Sequence, residues 1–135
     1  MEGTMFKKMK AKPGQTAYVL YPPDGYPTEG SGLDFGAAAD KFDFVHLFIA
    51  SRLEVEGRIA EALSRRAEGG LLWISYPKAS GKFKPDINRD TLWDLLLPLG
   101  VHPVAQVALD ETWSAIRFSD NKPGESYVRP GKKST

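Results

Sequence analysis

The chain has 135 residues, enough for one domain with a core of its own and no covalent staples. Hydrophobic residues at 41% against 26% charged fit a folded globular chain and exclude disorder throughout. The absence of cysteine excludes disulfides, thiolate nucleophiles and iron–sulfur clusters, and a net charge of +1 gives no global pull towards nucleic acid or anionic lipid.

In chain order, Met1 to Lys12 carries Lys7, Lys8, Lys10 and Lys12 with no apolar run behind them, so it is expected to be a basic tail and not a secretory signal. Ala17 to Tyr21 is a β-branched and aromatic run between Lys12-Pro13-Gly14 and Pro22-Pro23, and reads as the first strand. Asp24 to Asp40 is a Gly- and Pro-rich loop with room for a short helix at Phe35–Asp40. Phe42 to Ala50 is almost continuously apolar, as strands covered on both faces are. Ser51 and Glu54 then have the spacing of a capping box, and Val55, Ile59, Ala62 and Leu63 recur at helical spacing up to a stop at Gly69-Gly70. Leu71 to Tyr76 is a third strand ended by Pro77. A loop with Lys78, Lys82 and Lys84 leads to a helix capped by Asp86 or Asn88, lined by Leu92, Trp93, Leu95, Leu96 and Leu99, and ended by Pro98 and Gly100. Two strands, Pro103–Leu109 and Thr112–Phe118, form a hairpin about Asp110-Glu111. After Asp120 no periodic apolar residues remain, and the end reads as a disordered basic tail.

These elements predict a basic tail over 1–12, one α/β domain over 13–119 and a second tail over 120–135. Helical crossovers between apolar strands predict a compact Rossmann-like, mostly parallel sheet with a C-terminal antiparallel hairpin and helices on the faces. The expected core comprises Leu47, Ile49, Leu72, Ile74, Leu96 and Val107. No apolar run is long enough for a membrane helix, and the cysteine-free composition fits the cytoplasm.

Three stretches carry a resemblance. They are Phe44-Val45-His46-Leu47-Phe48 followed by Ser51-Arg52, then Leu72-Trp73-Ile74-Ser75-Tyr76-Pro77-Lys78, then Val107 to Ser114. With them the chain resembles a bacterial family of small proteins known as a domain of unknown function. The element order resembles the C-terminal half of the Rossmann-like methyltransferase fold. The resemblance implies a fold and no activity. After the first strand comes Pro22-Pro23-Asp24-Gly25, not a Gly-rich turn opening a helix. The amide cradle that would hold S-adenosylmethionine or a dinucleotide is therefore missing, and no cofactor is expected.

Ligands of open α/β sheets bind outside the carboxyl ends of the parallel strands. That rule gathers Asp24, Ser51, Arg52, Tyr76, Lys78, Asp110, Glu111, Thr112 and Trp113 on one rim. The candidate ligand-binding residues are Ser51, Arg52, Tyr76, Lys78, Asp110, Glu111 and Trp113, and the ligand they would suit is an anionic small molecule. Each also has a plainer role. Ser51 caps a helix without a nucleophile elbow, the lysines solvate a loop, Asp110 and Glu111 make a turn, and Trp113 packs an edge. His46 reads as a core histidine, and His46 with His102 makes too small a set for a metal, so none is expected. The aromatic residues lie in strands and do not interleave with the basic ends, which weighs against nucleic acid. Three functions remain in view, a non-enzymatic or regulatory binding module, an enzyme or anion binder at the rim, and, as the least favoured, accessory nucleic-acid contact through the basic tails.

Overall fold

A computed structural model describes residues 1–80 and 84–131. Lys82 and residues 132–135 lie outside the described residues. Five strands, β1 (Ala17–Leu20), β2 (Phe42–Phe48), β3 (Arg66–Pro77), β4 (Val101–Ala108) and β5 (Trp113–Asp120), form one sheet in the order β1-β2-β3-β5-β4. The helices are α1 (Met5–Lys8), α2 (Arg52–Arg65) and α3 (Arg89–Leu96), the last continued by a 3₁₀ turn at Leu97–Leu99. No helix among the described residues is long and apolar enough to cross a membrane.

The sheet corrects the expected Rossmann-like, mostly parallel arrangement. Only β1·β2 and β2·β3 pair in parallel, while β3·β5 and β4·β5 are antiparallel, so the sheet is mixed. The crossover through α3 carries the chain one place past β3, and β5 returns into the vacant slot. Apolar patterning sets which residues face inward but not which strand lies beside which.

Helices on the faces also needs correcting. One core cluster joins Val45, Leu47, Ile49, Leu72, Ile74 and Ile116 to Val55, Ile59 and Ala62 of α2 and Leu92 and Leu96 of α3. Both long helices therefore cover a single face. The other face, with Phe44, Phe48 and Trp73, is covered by Met5, Phe6 and Met9 together with Tyr26, Leu33 and Phe35 from the loop between β1 and β2. Residues 1–12, expected as a basic tail, thus bury Met5, Phe6 and Met9 while Lys7, Lys8, Lys10 and Lys12 stay exposed. The Trp73 indole N–H anchors the segment by donating to the Met9 carbonyl at 2.9 Å.

Several boundaries move. No helix forms at 35–40. Gly69-Gly70 lies inside β3 and does not stop α2, which ends at Arg65. A Cβ on Gly70 would sit 2.9 Å from the Ala67 carbonyl and 3.0 Å from that of Phe42, so only glycine lets the backbones approach where the β2–β3 register slips. Asn88, not Asp86, caps α3 in a reciprocal pair with Thr91. Leu47, Ile49, Leu72, Ile74 and Leu96 are buried as expected, but Val107 is half-buried because β4 is an edge strand. Past Asp120 the described residues keep contacts: Tyr127 stacks on His102 at 3.7 Å, and Arg129 Nε donates to both Asp94 oxygens at 3.1 Å.

Candidate functional site

The rim begins where β2 runs into α2. Ser51 is extended, and its hydroxyl accepts from the Glu54 amide at 3.2 Å. The Glu54 carboxylate reaches back to the Ala50 amide at 2.6 Å, one residue earlier than a standard capping box. The Arg52 amide donates to Asp86 Oδ1 at 3.0 Å. The positive end of α2 is thus already neutralised by two carboxylates from the chain itself. The Arg52 side chain is exposed.

The second half of the rim is built around Lys78. Its amide donates to the Thr112 carbonyl and its ammonium to the Asp110 carbonyl, both at 2.8 Å. Asp110 Oδ1 in turn accepts from the amides of Thr112, at 2.8 Å, and Trp113, at 2.7 Å. This is an Asx turn that closes the β4–β5 hairpin, and the lysine ties it to the end of β3. Glu111 is exposed, as is Asp24.

Strand alternation separates the two aromatic members. Tyr76 lies on the helix face, where its hydroxyl accepts from Gln106 Nε2 at 2.9 Å. Trp113 lies on the opposite face, edge-on to Phe48 with centroids 5.0 Å apart. Of the predicted residues, Lys78, Asp110 and Trp113 meet directly through the turn. Ser51 and Arg52 engage Glu54 and Asp86 instead, and Tyr76 stands apart from Trp113. Asp110 and Glu111 line a cleft of about 310 Å³ with Glu2, Thr4, Met5 and Lys8, a wall that is acidic as well as basic. Among the described residues no three His, Asp or Glu side chains come together to hold a metal.

His46 is a core histidine, as its mid-strand position suggests, and it sits in a polar chain, making two polar contacts where a core histidine is expected to make one. Its Nε2 is 2.6 Å from the Ser75 hydroxyl and its Nδ1 is 2.9 Å from the Tyr26 hydroxyl. A neutral imidazole serves both contacts, donating to one and accepting from the other. Complete burial lowers the imidazole pKa to about 3, and burial pushes that of the Tyr26 hydroxyl up. Tyr26 comes from the loop after β1 and packs edge-on to Phe48 and Phe6, so this loop lies over the polar chain as a lid of aromatic rings. No sequence signal marks the contact, since Tyr26 and His46 are joined only by the loop's fold. Asp86 is the other missed residue, because its proximity to a helix start reads as a local cap.

Tyr21, the last expected residue of β1, is exposed and takes a left-handed backbone (φ 57°). Arg58 covers its ring at 3.8 Å and is itself held by Glu54 and the Phe48 carbonyl. Where a Gly-rich cofactor turn would start, this chain has a strained tyrosine under an arginine.

No protein-family model matches this chain, and no curated protein matches it significantly. The site therefore rests on its own geometry.

Proposed function

We propose that the domain is a non-enzymatic binding module rather than an enzyme or an anion binder working at the strand ends. The observation that carries this reading is how the rim's polar groups are used. Asp86 takes the Arg52 amide and Ser51 the Glu54 amide at the start of α2, Glu54 takes the Ala50 amide just before it, and the Lys78 ammonium donates to the Asp110 carbonyl. An anion at the rim would have to displace a carboxylate from the Arg52 amide and compete with the Asp110 carbonyl for the Lys78 ammonium. The Ser75–His46–Tyr26 chain offers no better chemistry, because Ser75 and His46 are fully buried and the aromatic loop lies over them. A solvent-excluded serine and a histidine that stays neutral make a structural polar pair.

The test is a thermal-shift screen of the intact chain against nucleotides, S-adenosylmethionine and phosphorylated metabolites. A ligand that binds only the native state raises the melting temperature. The proposal expects no saturable rise from any of them. A saturable rise that is lost in Arg52→Ala would overturn it in favour of an anion site.

A further inference from the structure

The sheet has two edges, and the chain treats them differently. The first half of β1 is covered by its own loop. The Ala17 amide donates to the Asp34 carbonyl at 2.8 Å, and the Asp34 amide donates to the Gln15 carbonyl at 2.9 Å. Among the described residues, no strand pairs with the outer side of β4. Its first half is blunted: Pro103 has no N–H, the register slips between Pro103 and Ala105, and Tyr127 stacks on His102. Such devices keep an edge from pairing with another chain.

The blunting ends with the slip at Val104. From Val104 to Ala108 the strand carries no charge, and Val104, Gln106 and Ala108 are exposed. Backbone parity fixes what this half-edge offers. The Leu109 amide bonds to the Trp113 carbonyl across the hairpin. Bonded positions alternate along an antiparallel ladder, so Val107 and Ala105 also face β5. The amides and carbonyls of Gln106 and Ala108 therefore point outward, towards nothing in the sheet.

We infer that this half-edge docks a second copy of the chain, β4 against β4 about a two-fold axis, joining two five-stranded sheets into one. An antiparallel strand is complementary to itself under that symmetry, so one surface supplies both halves of the interface. The charge-free stretch lets two copies meet without like charges facing each other. The axis is placed at Gln106, the middle of the charge-free stretch and a residue whose amide and carbonyl point outward, with Val104 opposite the partner's Ala108. The same register sets the acidic Asp110-Glu111 turn opposite the partner's His102, next to the strand start that Lys122 flanks. This names the partner of the binding module and rests on that reading for its meaning, though its test stands apart from the rim.

The test is sedimentation of the full chain from low-micromolar to millimolar concentration. The wild type associates reversibly to a dimer. Gln106→Lys and Gln106→Glu each put like charges on the axis and are monomeric alone, while an equimolar mixture of the two regains the dimer. Gln106 also donates to Tyr76 and Ser114, so Ala108→Pro is the second variant. It removes one outward N–H, leaves the β5 ladder intact, and weakens association without lowering the melting temperature by more than a few degrees. A wild type that stays monomeric throughout overturns the inference. So does a dimer that survives both Gln106→Lys and Ala108→Pro, or a charge-paired mixture that stays monomeric. Should the ligand screen find a rim ligand, the binding-module reading falls while the sedimentation result stands.

Discussion

Replacing Lys78 with methionine removes the ammonium and keeps the apolar stem. The ammonium donates at 2.8 Å to the Asp110 carbonyl from a half-buried position at the end of β3. A hydrogen bond involving a charged group contributes about 1.5–3 kcal/mol. Partial exposure lets water replace some of it, so we expect a loss of about 1–2 kcal/mol. For a domain of this length that lowers the melting temperature by about 3–10 °C. Lys78→Glu does worse, because it sets a carboxylate against a carbonyl and beside the Asp110 side chain. Chemical denaturation with a fluorescence readout of Trp113 and Trp73 measures both variants. If Lys78→Met and Lys78→Glu melt within a degree or so of the wild type, the lysine is not holding the hairpin and the structural reading of the rim is refuted.

Leu72 is completely buried in the cluster under α2 and α3, so Leu72→Ala should cost about 2–5 kcal/mol by denaturant unfolding, and a loss under about 0.5 kcal/mol would remove β3 from the core. His46 titrates near 3 in the fold against 6.5 in the unfolded chain. Between those values the unfolded chain binds a proton that the folded one refuses. Its contribution is therefore fully present above about pH 6.5 and is lost as pH falls towards 3, at up to about 1.4 kcal/mol per pH unit. His46→Phe should lower stability at neutral pH, since it strands the Tyr26 and Ser75 hydroxyls, and should flatten the stability profile between pH 6 and 4. An unchanged slope in that window would mean that His46 is solvated.

What the sequence discloses here is local or follows from alternation. Ser51 is legible as a cap because its partner amide is three residues away, and the burial of Leu72 and Ile74 follows from the unbroken apolar run around them. The Lys78–Asp110 adjacency was also legible, because strand ends and hairpin turns share an edge once the strand directions are known. The slot that β5 fills is not legible, since pairing order depends on backbone bonds between distant residues. The second face is hidden for a different reason. Met5-Phe6 and Met9 are separated by Lys7-Lys8, and a short amphipathic turn does not stand out from a charged tail. Gly69-Gly70 looks like a helix stop because both a stop and a bulge need glycine. Asp86 shows the limit most directly: its carboxylate serves an amide 34 residues earlier, and its own neighbourhood suggests a cap.

The Arg52 amide and the Lys78 ammonium at the rim are both engaged by the chain's own groups. An amide-resolved nuclear magnetic resonance titration with inorganic phosphate, matched in ionic strength by chloride, tests it at the Arg52 N–H. Phosphate is expected to move the Arg52, Thr112 and Trp113 amides no more than chloride does. A saturable, phosphate-specific shift centred on Arg52 would mean that Asp86 gives way to a ligand, and would contradict it.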